Sequence, residues 1–337
     1  MLNIIHELCQ LDYGGAEKVV RNIAKFDKKN SHTVIAYKDG PFRKELEAAG
    51  ATVIIAPKEK EEEVSFEIDL IHIHSGGAMS EMALSMGKRF PVIETIHSPI
   101  RSPMPGEFIR QRVGVTDAVS RINANCVTIH NGVDFSTLQA NRSVEEIKRE
   151  LGIRKNVPVI GRLGRVGKDK CLEEWLLACY YLQRQGLEFI PLIVGGEASG
   201  LNGYIGKLKL MAESLPVKGV IWAGHKDDVA NYLQAMDVFL YPSPTEGFGM
   251  VFVEAMHAGV VVVTYDNDVT REVAGGFAVL ESSNIAGLIC GVMKALDVNV
   301  RDAIIPLAQS WVEEQFDAER MSKDYQDLYE RITKGAN

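Results

Sequence analysis

The sequence predicts an α/β protein built on doubly wound parallel sheets, with enough strands for two of them. Three observations carry this. Short runs rich in Val and Ile recur with little polar alternation, the pattern of strands covered on both faces. Amphipathic runs separate them, so strand and helix alternate as in parallel sheets. Near the middle of the chain a capped helix ends in glycine and a new strand begins at once.

In the first half, residues 2–8, 32–36, 52–56, 70–74, 92–96, 115–119 and 127–129 read as strands; in the second half, 157–163, 189–194, 220–223, 238–241 and 260–264 do so. Amphipathic segments such as 172–185 and 205–214 read as helices. The boundary falls within 129–157. There Asn131-Gly132 makes a turn, Ser143 with Glu146 three residues on has the pattern of a capping box, and Gly152 stops the helix. The expected division is 1–140, 141–312 and a tail, 313–337; the charged amphipathic stretch 311–332 that runs into it reads as helical.

At 337 residues the chain is long enough for two ordinary domains. Its 46% hydrophobic content supports a sizeable core, and 24% charged residues suits a soluble protein. A net charge of −8 argues against broad nucleic-acid binding, which needs a basic face. The five cysteines are scattered without a C-x-x-C pair, as expected of buried, reduced thiols in a cytosolic protein. The start lacks the pattern of a signal peptide, and no run approaches the ~18 apolar residues of a membrane span. Residues 58–63 are expected to be a solvated charged loop.

Three loops carry the chemistry. Tyr13-Gly14-Gly15-Ala16-Glu17 follows the first strand and opens a helix; it can bring backbone N–H groups to a phosphate, or be only a tight turn. It is not G-x-G-x-x-G, which weakens a dinucleotide reading. Residues 160–170 leave the first strand of the second half with Arg165 and Lys170 at its carboxyl end, where open α/β sheets bind ligands. Such a pair can neutralise a diphosphate. Arg162, inside the apolar strand, is expected to pair structurally, and Lys168 to be solvated. In the third loop, Glu246-Gly247-Phe248-Gly249 runs into a helix starting near Met250, with N–H groups exposed around Val251 and Glu254 about one turn on. Carboxylates accept sugar hydroxyls as charge-assisted hydrogen bonds, worth roughly 1.5–3 kcal/mol each. His72 and His74 share one face of a strand, but two histidines make no metal site without further ligands. His97 leaves a strand's carboxyl end and is the better candidate. Asp266-Asn267-Asp268 has the spacing of a metal–diphosphate clamp but follows the wrong element for one.

These pieces, in this order, resemble the retaining glycosyltransferases of family 4, of GT-B fold. The resemblance spans nearly the whole chain: Gly14-Gly-Ala-Glu17, Asp69 to Ser75, His97-Ser98, Asn131-Gly-Val-Asp134, Gly164-Arg165 with Lys170, Gly224-His225, Asp237 to Ser243, Glu246-Gly-Phe-Gly249, Glu254-Ala-Met256 and Arg271-Glu-Val273. It implies two Rossmann-like domains facing a central cleft, and last helices that cross back onto the first domain. It implies that Arg165 and Lys170 hold the donor diphosphate, Glu254 the ribose, and Glu246 the donor sugar, helped by amides of Gly247, Phe248, Gly249, Met250 and Val251. His97 would lie near the donor sugar and Gly15 near phosphate and acceptor. No metal or other cofactor is implied.

The expected reaction moves a hexose or N-acetylhexosamine from a nucleoside diphosphate sugar to a hydroxyl of a glycan, lipid-linked or small-molecule acceptor, with retention. The expected place is the cytoplasm, with peripheral contact at the inner membrane face; Arg101, Arg110, Arg112 and Arg121 form a modest basic cluster in the first domain, either a patch for such contact or only a solvated helix face. Alternatives are a nucleotide-sugar epimerase of the same fold, a non-catalytic nucleotide-sugar-binding protein and, least, a nicotinamide dehydrogenase. Three departures from the family pattern lead us to expect altered loops: Cys171 in place of the usual Gly, His130 in place of the common Pro, and the glycine-free segment 266–270.

Overall fold

The computed structural model describes residues 1–56, 67–75, 80–198 and 200–335; the charged loop 58–63 lies outside them. Contacts divide the chain into two compact units. One comprises Met1–Asp134, Glu246–Phe248 and Phe316–Asn337; the other comprises Phe135–Thr245 and Gly249–Gln315.

The first unit is a seven-stranded parallel sheet. Its strands are β1 (Asn3–Leu8), β2 (Ser31–Ala36), β3 (Thr52–Ile55), β4 (Leu70–Ser75), β5 (Val92–Ile96), β6 (Gln111–Gly114) and β7 (Cys126–Thr128), in the order β3-β2-β1-β4-β5-β6-β7. The strand expected at 115–119 is not there. The chain pairs earlier, at Gln111–Gly114, and turns into a short helix, Asp117–Arg121, because Thr116 caps it by accepting a hydrogen bond from the Val119 amide at 3.3 Å. Two apolar residues, Val113 and Val115, flank Gly114 and give the run its strand-like look.

One face of this sheet is closed by helix Gly15–Phe26 and the terminal helix Ala318–Lys334. Val19 and Ile23 of the former pack with Met321, Tyr325, Leu328 and Tyr329 of the latter. The tail expected as one helical stretch is two helices, Val298–Gln315 and Ala318–Lys334. The break is fixed by hydrogen bonds. Val133 N–H donates to the Phe316 carbonyl at 2.7 Å and the Val133 carbonyl accepts from Ala318, while Asp317 caps the second helix through the amides of Glu319 and Arg320.

The second unit holds β8 (Val159–Leu163), β9 (Ile190–Val194), β10 (Ile221–Gly224), β11 (Val238–Tyr241), β12 (Val261–Tyr265) and β13 (Val279–Glu281), parallel and in the order β10-β9-β8-β11-β12-β13. β13 is three residues long, too short for a periodic signal; pairing with β12 makes it a strand. The core is apolar: Trp175, Leu176, Cys179 and Leu182 of helix Leu172–Arg184 pack on Ile160, Leu240 and Val263. The capping box at Ser143 and Glu146 forms as expected. All five cysteines are free, but Cys9 and Cys290 are exposed, so the expected burial of every thiol is corrected; both sit at element ends or helix faces that the sequence pattern leaves open.

Both sheets reverse their winding once. The switch lies between β1 and β4 in the first unit and between β8 and β11 in the second. Loops leaving neighbouring strands in opposite directions open a crevice at the strands' carboxyl ends. The candidate residues follow β1, β8 and β11, except His97, which follows β5.

Candidate active site

In the second unit, the loop after β8 is laced to the strand beside it. Gly164 N–H donates to the Val194 carbonyl at 3.0 Å and Val166 N–H to that of Gly196 at 2.8 Å, so Arg165 between them projects from a fixed backbone. The lacing requires a glycine at 195: its φ is +143°, and a Cβ there would sit 1.9 Å from the Gly164 carbonyl oxygen. One turn of 3-10 helix, Lys168–Lys170, then presents Lys170. Asp169, which sequence reasoning missed, joins the two cations: its carboxylate lies 3.0 Å from the Arg165 guanidinium and 3.5 Å from Lys170 Nζ. The available signal is its position between the basic residues. Arg162 does not join them. It is wholly buried, with its guanidinium 5.0 Å from the centre of the Tyr241 ring, a cation–π contact. Lys168 is exposed, as expected.

After β11 the chain turns through Glu246–Gly249 into helix Met250–His257. Gly249 holds φ +84°, the left-handed conformation that favours glycine, and a Cβ there would meet the Phe252 ring at 2.4 Å. The first amides of the helix, those of Met250 and Val251, have no acceptor within it and mark its electropositive end. Val251 Cγ1 comes within 3.7 Å of where a Cβ on Gly164 would be, so the β8 loop and this helix start meet at the switch point. Glu254 lies on the same helix and is 2% exposed. Arg165, Lys170, Gly249, Met250, Val251 and Glu254 thus belong to one end of one sheet.

Glu246, Gly247 and Phe248 count with the first unit. Thr116 Oγ1 donates to the Gly247 carbonyl at 3.0 Å, and a Cβ on Gly247 would lie 2.0 Å from the His97 carbonyl oxygen. Only a bare Cα can approach so closely. Half-buried Glu246 is therefore held one residue from the His97 backbone. Phe248 is buried edge-on against Phe316 at 5.1 Å, and His130 packs on the same Phe316 ring. His130 thus fills an aromatic cluster.

Elsewhere in the first unit, Gly15 is the exposed first residue of helix Gly15–Phe26, after β1. His97 directly follows β5. His72 and His74 are both buried, and His6 on β1, which carries no motif in the sequence, joins them: one ligand atom of each lies within 4.8 Å of the others. The nitrogens are already engaged. His72 Nδ1 meets Tyr329 OH at 2.8 Å and its Nε2 meets Thr95 Oγ1 at 2.7 Å; His6 Nδ1 meets His74 Nε2 at 3.1 Å. Burial, and then the neighbouring rings, push the His6, His72 and His74 pKa values well below the ordinary histidine range; burial lowers His97 to about 4. All four are neutral at pH 7.

The remaining expectations divide. Arg112 is buried with its charge paired to Glu94 at 3.0 Å and donates to the Met104 carbonyl, while Arg110 donates to the Gly335 carbonyl. Arg101 and Arg121 line a cavity of about 470 Å³ with Ser102 and Asn123, and Arg112, though tied to Glu94, also lines it. Segment 266–270 is a helix start: Asn267 and Thr270 form a capping box for Asp268–Ala274, and Asp266 holds Arg271. Cys171 takes φ +49° and ψ +47°, so the loop keeps a conformation that glycine reaches without strain. Among the described residues no helix is long and apolar enough to cross a membrane.

Two doubly wound parallel-sheet α/β units, the second with a charged loop at its switch point, have the GT-B fold, and solved structures agree. The Anabaena HepE structure with UDP and glucose superposes with a TM-score of 0.84 at 19% identity, covering 98% of this chain and 100% of that one. The profile of the family "Glycosyl transferases group 1" matches residues 143–314, just over half of the chain, and the protein belongs to that family. Among its relatives, the phosphatidyl-myo-inositol mannosyltransferase of Mycobacterium tuberculosis is 29% identical over 230 residues, 61% of this chain. That match spans only 57% of the mannosyltransferase's own length. The N-acetyl-alpha-D-glucosaminyl L-malate synthase of Bacillus anthracis is 23% identical over 298 residues, 78% of this chain and 74% of that protein.

Proposed function

We propose that this protein transfers a hexose or N-acetylhexosamine from a nucleoside diphosphate sugar to an acceptor hydroxyl, with retention of the anomeric configuration and without a metal. One observation carries the reading: Arg165 and Lys170 stand with the start of helix Met250–His257 and its Glu254 at the switch point of one sheet. Two cations and a helix N-terminus suit a diphosphate, and a carboxylate beside them suits the ribose diol. Family membership, and the sugar transfer named for the relatives, support the same class.

In the proposed reaction the bond from the anomeric carbon to the donor phosphate breaks and one to the acceptor oxygen forms on the same face. The acceptor proton passes to the leaving phosphate oxygen. Negative charge grows on the diphosphate, where Arg165 and Lys170 stabilise it; positive charge grows on the sugar ring, near Glu246. Asp169 holds the two cations in place until the more highly charged diphosphate takes over part of its role. His97 contacts the donor sugar and Gly15 lies beside phosphate and acceptor. The acceptor is a glycan, a lipid-linked sugar or a small hydroxylated molecule; a lipid-linked one would bring peripheral contact with the inner membrane face from the cytoplasm.

The test begins with thermal shifts for UDP-, GDP- and ADP-sugars, since a ligand at a hundred times its Kd adds about 2.7 kcal/mol of stability. The donor that binds is then incubated with candidate acceptors, with and without a chelator, and the product anomer is read by NMR. Transfer with retention, undiminished by the chelator, is expected. Conversion of the nucleotide sugar with no acceptor present would favour the epimerase. An inverted product, or a glycosyl adduct trapped on Glu246, would overturn the mechanism.

A further inference from the structure

The buried histidines form an ordered chain. Asp27 Oδ2 lies 3.2 Å from His32 Nε2, and His32 Nδ1 lies 2.9 Å from His6 Nε2. His6 Nδ1 is 3.1 Å from His74 Nε2, and His74 Nδ1 is 3.1 Å from His97 Nε2. Every link between rings joins the Nδ1 of one to the Nε2 of the next. These side chains connect the end of helix Gly15–Phe26 with the residue after β5.

A neutral imidazole has one N–H and one lone pair, so a chain of them has a direction. Asp27 sets it. Its carboxylate accepts from the Lys29 and Asn30 amides and from Asn30 Nδ2. Burial alone would raise its pKa, but the His32 contact and these bonds outweigh it and the net shift is downward. An ionised carboxylate can only accept; its 3.2 Å contact with His32 Nε2 is a close charge contact rather than an aligned hydrogen bond, and the negative charge favours the tautomer with the proton on Nε2. His32 Nδ1 must then accept from His6 Nε2–H, His6 Nδ1 from His74 Nε2–H, and His74 Nδ1 from His97 Nε2–H. The far end is His97 Nδ1, a bare lone pair. Among the described residues this atom is buried and has no hydrogen-bond partner. Leaving a buried acceptor unsatisfied is unfavourable, and a ligand hydroxyl would recover that cost.

The groups around the chain fit this direction. His72 lies tilted against His74, their ring centroids 4.0 Å apart, and is held by the hydroxyls of Tyr329 and Thr95, the latter shared with Tyr325 at 2.9 Å. These neighbours are neutral, and Asp27 is the ionised group in contact with the chain. The same bonding argues against a metal at His6, His72 and His74, since an ion would have to take lone pairs that the chain already uses.

We propose that the chain Asp27–His32–His6–His74–His97 locks His97 as the Nε2–H tautomer, leaving Nδ1 to accept a hydroxyl of the donor sugar, and that His6, His32 and His74 are positioning residues for it. The sugar contact rests on the function proposed above; the tautomer does not.

Nitrogen NMR of the histidine rings in the full chain near neutral pH reads the tautomers directly. His32, His6, His74 and His97 are all expected as Nε2–H; an Nδ1–H form of His97 overturns the proposal. Asp27→Asn supplies an amide that can donate to His32 Nε2. Each ring's proton then moves from Nε2 to Nδ1, and His97 ends as a donor. Transfer by Asp27→Asn should fall about 10–100-fold. In a His97→Ala background, Asp27→Asn should have no further effect. His74→Gln, which can both accept and donate, should retain more activity than His74→Leu, with the loss in kcat rather than in KM for the acceptor. If Asp27→Asn or His74→Leu fails to fold, the wild-type NMR still decides. An Nε2–H tautomer in a protein whose His97→Ala variant transfers normally would sink the sugar contact and leave the tautomer lock standing. Full transfer by a folded Asp27→Asn protein with a flipped His97 would sink the link between tautomer and catalysis.

Discussion

In the first unit the central strands β1 and β4 carry His6, His72 and His74 into the core, whereas β8, β11 and β12 of the second unit carry Ile160, Leu240 and Val263 at comparable depth. The topology is doubly wound in both. The difference teaches that a parallel sheet tolerates polar side chains when their ring nitrogens meet partners, because hydrogen bonds then offset the cost of desolvation. The second unit has a comparable exception in Arg162, stacked on Tyr241. Its clustered charges stand instead at the sheet's end, on Arg165, Lys170 and Asp169.

Acid should separate the two units most strongly. His6, His72 and His74 have folded pKa values below the unfolded value of about 6.5, so the unfolded chain binds more protons as pH falls below that point. Their stability contribution is complete above about pH 6.5 and declines on acidification, by up to about 4 kcal/mol per pH unit for the three together. His97 adds to the decline down to its pKa of about 4. Hydrogen exchange across this range should show the amides of β1, β4 and β5 losing protection before those of β8, β11 and β12. Simultaneous loss would break the contrast.

The second unit's charges should matter to turnover and little to folding. Arg165→Ala and Lys170→Ala are each expected to lower kcat about 10²–10³-fold, while circular dichroism and the unfolding midpoint stay near wild type. Wild-type turnover in either would remove the diphosphate assignment.

Two smaller effects test how each unit ends its elements. Asp317→Ala removes the cap of helix Ala318–Lys334, whose Tyr325 and Tyr329 close the first unit's core, and should cost about 1 kcal/mol in denaturant unfolding. Cys171→Gly relieves a left-handed residue in the second unit and should gain about 0.5 kcal/mol, strain relief being partly offset by the entropy of glycine. A loss of stability there would mean that the Cys171 side chain contributes packing.

Much of the site is readable because its signals are local. Arg165, Lys170, Glu246 and Glu254 stand in loops or helix starts directly after Val- and Ile-rich strands, and the structure puts them at strand ends for that reason. Asp169 is readable too, from its place between its two partners. Other features have no local signal. The pairing that makes β13 a strand and the break at Phe316–Asp317 each depend on a partner distant in sequence. The helix at 117–121 replaces an expected strand because Thr116 caps it once β6 has ended. The fate of Arg112, one of four arginines alike in sequence, depends on Glu94, which binds it inside the fold.

The sequence by itself determined the alternation of strand and helix, the glycines at the turns and the charges on the loops after β8 and β11, since periodicity, backbone freedom and charge are properties of neighbouring residues. The tertiary structure decided which strands adjoin, and hence where the winding reverses and which side chains meet. His6, His32, His74 and His97 are scattered along the first unit's sequence and form a chain only because β1 lies between β2 and β4, and β4 beside β5. Ring-to-ring hydrogen bonds need about 3 Å and alignment, and only the sheet's register supplies both.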